Sequence, residues 1–288
     1  MIIKTAIVMD STGYLTPDIL DQYGIRVVPL NVTIGNETFP ETELTNTDLF
    51  NKLDQISGIS TTSQPSVGLF LSTYDKLFNE GYEEIVSIHL SQKISGTFIS
   101  AQMAKDLSTN KKIHIFDSGS AASGLGLLAW AAGEWAQDGL SGEEIIRKLA
   151  KLKSVTELYF MVDTLEYLRR GGRIGGASAL VGTLLQIKPI LYLNSNGEID
   201  VYEKVRSKGR AWQRVLSELS RAISTGDNYR IAVLHVRHFE EGQKVLQELK
   251  IQYPMHEIRL FEPGPVIATH VGPGTLGLAF HPWPLKTK

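Results

Sequence analysis

The sequence predicts an α/β fold in two parts: a parallel-sheet α/β/α domain over residues 1–162 and an α/β domain with a mixed sheet over 163–288. Three observations lead there. Strand and helix patterns alternate through the first part, as in a parallel sheet covered on both faces. After Asp163 the pattern turns to hairpin-joined strands, which pair antiparallel. No low-complexity linker separates the parts, so they are expected to pack closely, with a cleft between them as the default place for a ligand.

In the first part, "TAIVMD" is an apolar run of strand length. It is too short for the apolar segment of a secretory leader and carries no small-residue cleavage site, so it reads as a core strand and the protein as cytoplasmic. Ser66 is the natural N-cap of a helix in which Val67, Phe70, Leu71, Tyr74, Leu77 and Phe78 recur at helical spacing until Gly81. The strand "EEIVSIHL", a helix after Ser95, the strand "KIHIFD" and the small-residue helix "AASGLGLLAWAAGEWAQDG" come next. Ser141 and Glu144 have capping-box spacing and open "EEIIRKLAKLK", after which "ELYFMV" returns as a strand. Asp163 and Glu166 repeat that spacing before "YLRRGGR".

In the second part, "PILYLNSNGEIDVYEKV" is two alternating strands around Asn196-Gly197, a strong hairpin signal. Two helical stretches, "RAWQRVLSELSRAI" and "EEGQKVLQELK", bracket the strand "RIAVLHV", and "HEIRLFE", "VIATHV" and "TLGLAFH" read as closing strands. The stretch "IGGASALVGTLLQIKPILYL" is about as long as a bilayer core requires, but Gln186, Lys188 and Pro189 interrupt it. A buried Gly/Ala-rich helix followed by a strand fits it better.

Composition removes several functions. With 29 Lys and Arg against 31 Asp and Glu the formal charge is −2, so no basic excess draws nucleic acid. The absence of cysteine excludes disulfides, thiolate nucleophiles and cysteine-ligated zinc. His235 and His238 are poorly spaced for a metal, Asp10 and Asp117 suit turn hydrogen bonds, and no metal or other cofactor is expected. Gly272, Gly274 and Gly277 spell G-x-G-x-x-G, but Pro273 follows the first and no helix is expected after the last. Neither a G-x-S-x-G elbow nor a Walker loop nor H-E-x-x-H occurs.

Hydroxyl groups gather at two strand-to-helix turns. Ser95, Gly96 and Thr97 stand where a helix starts, with unpaired amides and a partial positive charge that suit an anion. Thr61, Thr62, Ser63 and Ser66 form a second cluster before the next helix upstream. In a doubly wound sheet such turns lie along one edge, where ligands bind. An ordinary serine cap explains either cluster alone; both together favour a held anion. "LRRGGRIGG" adds Arg169, Arg170 and Arg173 around a glycine turn, suited to a carboxylate, a phosphate or an acidic partner. His270, read as part of an apolar strand, becomes interesting only through its neighbours.

Taken together, "MDST", "TTSQPS", "SQKISGTFISA", "YLRRGGRIGG" and "THVGPGTLG", in this order over essentially the whole chain, resemble the DegV family of bacterial fatty-acid-binding proteins. That family is similar to the lipid-binding subunit of fatty acid kinase. The resemblance implies a long-chain fatty acid of the C16–C18 type, such as hexadecanoate, buried within and between the two domains. It implies a carboxylate held by Thr62 and Ser95, with Gly96, Thr61 and His270 beside them. A separate kinase subunit would phosphorylate the bound carboxylate, with transient membrane contact also open to the carrier. Arg170, Arg173 and Arg206 would then recognise the head group or the partner. Gly175 departs from the serine that many relatives carry after "GGRI". The rival reading is a hydrolase acting on an acyl ester or acyl phosphate with Ser95 and His270. The Gly/Ala-rich "IGGASALVGTLL" is expected to suit a tunnel wall.

Overall fold

The strand β1 (Thr5–Asp10) is buried along its whole length, the mark of a strand with helices on both faces. Its alternate side chains divide accordingly: Ala6 and Val8 enter one apolar cluster, Ile7 and Met9 another. The computed structural model describes residues 4–55, 59–110, 112–181, 187–224 and 226–284. After β1 come α1 (Pro17–Tyr23), β2 (Arg26–Val28), β3 (Asn31–Ile34), β4 (Glu37–Pro40), α2 (Asn46–Gln55) and β5 (Ser60–Ser63). The first part continues with α3 (Val67–Asn79), β6 (Glu84–His89), α4 (Thr97–Leu107), β7 (Ile113–Asp117), α5 (Ala122–Gln137) and α6 (Gly142–Lys153). The second contains β8 (Glu157–Met161), α7 (Glu166–Arg170), β9 (Lys188–Leu193), β10 (Ile199–Val205), α8 (Lys208–Ile223) and β11 (Tyr229–His235). It closes with α9 (Phe239–Gln252), β12 (Glu257–Phe261), α10 (Pro265–Val271) and β13 (Leu276–Pro282).

The first sheet is wholly parallel, in the order β2-β1-β6-β7. Phe70, Tyr74 and Leu77 of α3 and Ala101 and Ala104 of α4 cover one face, while α5 and α6 cover the other. The second sheet runs β10-β9-β8-β13-β11-β12 and is mixed, since β11 and β12 pair parallel and its other pairs are antiparallel. A small antiparallel sheet, β4-β3-β5, stands beside them. The fold is therefore the α/β arrangement expected, a parallel sheet followed by a mixed one.

Helix α5 joins the two sheets. It is buried without a break from Ala122 to Gly133, and its cluster takes in Ile7 and Met9 from β1 together with Ala232 and Leu234 from β11 and Ala279 from β13. Small residues make that position accessible: a Cβ on Gly126 would lie 2.2 Å from the carbonyl oxygen of Gly13, so the helix and the turn after β1 touch backbone to backbone.

Local chemistry fixes several boundaries as expected. Ser66 Oγ accepts from the Leu69 amide, and Ser141 and Glu144 form the complete capping box of α6. Four details differ from the sequence reading. Strand β8, assigned to the first part, hydrogen-bonds β9 and β13, so the passage into the second sheet comes before residue 157; an apolar run does not reveal which sheet it joins. The segment "VIATHV" is helix α10 rather than a strand, because Pro265 opens it at a position where no amide is needed. Its residues are buried nearly all round, which hides the helical period. Asp163 is not a cap, since Thr164 Oγ1 takes the Glu166 amide and Asp163 pairs with Lys208. Gly175–Leu180 is a 3-10 turn rather than a full helix, and residues 182–186 of that stretch lie outside the described residues.

Candidate ligand-binding site

A cavity of about 230 Å³ lies where α10, β5, the start of α4 and the strands β8 and β11 converge. Its walls are mainly apolar, with Leu90, Ile94, Phe160, Leu168, Val266 and Ile267 among them. Four of the polar lining residues, Thr62, His270, Arg173 and Ser95, follow one another along an arc. Thr62 Oγ1 is 2.8 Å from His270 Nε2, and the other ring nitrogen of His270 faces Gly171 so closely that a Cβ there would lie 2.1 Å from it. Arg173 donates to the Gly171 carbonyl at 2.6 Å and to the Ile94 carbonyl at 3.0 Å, one residue before Ser95.

Backbone placement explains who faces the cavity. On β5 successive side chains alternate, so Thr62, opposite Val32, turns inward while Thr61, opposite Thr33, is exposed. Ser95 lines the cavity one residue before Gly96, which holds the N-cap position of α4. Its hydroxyl meets Thr97 Oγ1 at 2.9 Å and accepts from the Thr97 amide at 3.3 Å, so Ser95 orders the turn without being the cap itself.

Gly96 lines a second, polar cavity of about 560 Å³ that shares Ile94, Ser95, Arg173 and Ile199 with the first. Gln64 lies over Gly96, since a Cβ there would come within 2.2 Å of Gln64 Oε1. Gln64 also reaches Ser100 Oγ, tying the β5 turn to α4.

His270 is held neutral. Burial, followed by the repulsion of Arg173, pushes its pKa down to about 4. Nδ1 is buried without a hydrogen-bond partner among the described residues, and a buried N–H is costlier to orphan than a lone pair. This assigns the proton to Nε2, which donates to Thr62 Oγ1. The hydroxyl proton of Thr62 is then left to donate to an anion in the cavity. Among the described residues, His270 and Ser95, the base and nucleophile of the hydrolase reading, share no hydrogen bond. His270 engages Thr62, and Ser95 engages Thr97.

Of the residues singled out by sequence, Thr62, Ser95, His270 and Arg173 meet around the first cavity, and Gly96 lies in the adjoining one. Thr61 points away from both. Arg170 is exposed and pairs with Glu166 at 2.6 Å. Arg206, just beyond β10, is exposed and lines neither cavity. The described part of the Gly/Ala-rich stretch, apart from Gly175 and Gly176 at the second cavity, does not line them either, and the apolar wall of the first is mostly Leu, Ile and Val with Phe160 and smaller residues such as Ala121, Ala122 and Gly277. Sequence reasoning passed over Gly171, whose missing side chain makes room for His270; the paired glycines of "RRGGR" were the available signal. Among the described residues no group of three His, Asp or Glu could hold a metal, and no helix is long and apolar enough to cross a membrane.

Known proteins share this sequence pattern and fold. Residues 4–282 match the profile described as "Uncharacterised protein, DegV family". A DegV domain-containing protein of Listeria monocytogenes is 39% identical over 284 residues, 98% of this chain and 99% of its own. The crystal structure of DegV, a fatty acid binding protein from Bacillus subtilis, superposes with a TM-score of 0.90 at 37% identity, covering 97% of this chain and 99% of that one. A Thermus thermophilus structure, described as showing fatty acid binding of a DegV family protein, gives a TM-score of 0.89 at 33% identity, covering 97% and 100%. A sequence match over nearly its whole length and the shared fold place this chain in the DegV family.

Proposed function

We propose that the protein binds a long-chain fatty acid, with the alkyl chain in the apolar cavity and the carboxylate against Thr62 and Ser95. The observation that carries this reading is an apolar cavity whose polar arc presents hydroxyl donors backed by a neutral histidine and one arginine. The structural relatives named above, described as fatty acid binding proteins, support it.

The two ends of such a ligand do different work. Burying an alkyl chain contributes about 0.8 kcal/mol per methylene, so about 14 methylenes supply roughly 11 kcal/mol before ordering costs. A hydrogen bond to a charged group adds only about 1.5–3 kcal/mol. The chain therefore sets affinity, and Thr62 and Ser95 set which end is held.

The bound carboxylate is also a substrate in this reading. The polar cavity that shares Ser95 and Arg173 leads to the held end, so a separate ATP-dependent kinase subunit would reach the carboxylate there, with Arg173 beside it. The carrier then delivers the acyl phosphate and reloads by transient contact with a membrane. Purification from bacterial cells, solvent extraction and mass spectrometry test the first step: one C16–C18 fatty acid per chain is expected. An empty cavity combined with ester hydrolysis abolished by Ser95→Ala would overturn it. For the second step, acyl-phosphate formation by an added kinase subunit should require this protein; equal product without it would remove the kinase role.

A further inference from the structure

The wall of the cavity formed by α10 is held from the opposite side by a buried acid. Glu41, only 4% exposed in the turn after β4, accepts from Ser11 Oγ on one carboxylate oxygen. The other oxygen accepts from the Tyr14 hydroxyl at 2.5 Å and from the Val266 amide at 2.8 Å. Tyr14 Oη in turn accepts from the Ile267 amide at 3.2 Å. Pro265 has no amide, so Glu41 and Tyr14 together satisfy the first two donors of α10. Gly264 makes the approach possible, since a Cβ there would lie 2.8 Å from Tyr14 Cε1 and 3.2 Å from Glu41 Oε1.

The same cluster grips a second wall residue. Ser11 Oγ accepts from the Leu30 amide at 3.0 Å, and the Glu41 amide donates to the Leu30 carbonyl at 2.8 Å. Leu30, Val266 and Ile267 all line the cavity, and His270 follows Val266 by one helical turn on α10. Glu41 itself does not line it.

We infer that Glu41 is a positioning residue for the ligand site: its carboxylate holds α10, and with it the His270–Thr62 pair, in register, and proton uptake at Glu41 loosens that wall. The inference rests on the fatty-acid reading given above. Two hydrogen-bond patterns are available to the cluster. With Glu41 ionised, Tyr14 donates to it. With Glu41 protonated, its O–H donates to Tyr14 Oη, and Tyr14 turns its own proton to the Gly264 carbonyl 3.4 Å away. One proton enters from solvent and forms the only new covalent bond, the Tyr14 proton changes acceptor, and the hold on the Val266 amide falls from charge-assisted to neutral, a weaker class of bond.

Burial raises the Glu41 pKa to about 7, with Asp10 adding repulsion against three hydrogen bonds that oppose it. The groups acting on Glu41 from around it are Asp10 at the end of β1 and Tyr14 after it, while α10 presents backbone amides with His270 further on. Glu43, in the same turn, is exposed.

The test uses the full chain and cis-parinaric acid, a fluorescent fatty acid, with release followed by stopped flow from roughly pH 6 to 8. Release from wild type should accelerate about tenfold as pH falls, as when one charge-assisted hydrogen bond weakens to a neutral one. Glu41→Gln should release at the fast rate throughout, and Tyr14→Phe, which keeps the acid but lacks the second pattern, should fall between. A ligand-free readout accompanies it: hydrogen exchange of residues 264–271, relative to intrinsic rates, should be about tenfold faster in Glu41→Gln at pH 8. A flat wild-type release profile, or Glu41→Gln exchange equal to wild type, overturns the inference. If wild type takes up no probe, the fatty-acid reading fails, and the exchange comparison still decides whether Glu41 positions α10.

Discussion

His270 Nε2 stands 2.8 Å from Thr62 Oγ1 across 208 residues of sequence, joining α10 to β5 at the polar end of one apolar cavity. The neutral ring fixes which way the threonine hydroxyl can donate. In the fatty-acid reading, ligand orientation thus depends on a contact between two parts of the chain that no local signal connects.

Thr62→Val keeps the shape of the side chain and removes the hydroxyl. Fatty-acid affinity should fall by roughly 10- to 100-fold, about 1.5–3 kcal/mol, while Thr62→Ser restores most of it. Titration with a fluorescent fatty acid measures both. Equal affinity for Val and Thr would leave Ser95 as the main anchor.

Gly171 has φ −72°, a backbone any residue adopts, so Gly171→Ala tests space alone. The added Cβ would lie 2.1 Å from His270 Nδ1 and must push the ring off Thr62. Affinity should drop about tenfold, with a melting temperature close to wild type. Calorimetry of binding and thermal denaturation separate the two effects.

His270 should titrate far below a free histidine. In the folded protein its proton comes on near pH 4, against 6.5 for an unperturbed ring. Between those values the unfolded chain binds the extra proton, so this residue makes stability rise with pH through that window and reach its full contribution above it. NMR of the imidazole in labelled protein should place the midpoint near 4. A midpoint near 6.5 would mean that the ring is open to solvent.

Glu41 contributes with the opposite sign. Its folded pKa of about 7 lies above the ordinary 4.5, so between those values the folded chain holds the extra proton and stability falls as pH rises. The unfolding free energy from urea denaturation, Glu41→Gln minus wild type, should therefore grow from pH 4.5 to 7 and then level, by about 3 kcal/mol at most. Stability given up for geometry is common at binding sites.

What the sequence could show was local. Ser66, Ser141 and Glu144 announce their helices because caps act within three residues, and Asn196-Gly197 marks its hairpin for the same reason. The two hydroxyl-rich turns were visible as motifs. That Thr62 rather than Thr61 faces inward depends on the pairing of β5 with β3, which composition does not carry. His270 was misplaced on a strand because a segment buried on nearly every side shows no period. Glu41 gave no signal, since its partners Ser11, Tyr14 and Val266 lie far away in sequence and meet it only in the folded chain.

The placement of α5 constrains how a guest gets in. The helix is a common partition, with side chains from both sheets packed in its cluster, among them Met9 from the first and Leu234 from the second. Swinging the two halves apart like the covers of a book would strip water-shy surface from Leu127, Leu128 and Trp130, each worth about 1.5–3 kcal/mol when buried. In the fatty-acid reading, passage for the ligand then belongs to small doors rather than a hinge. α10, seven residues long and held at its first turn by Glu41 and Tyr14, is built like one of them.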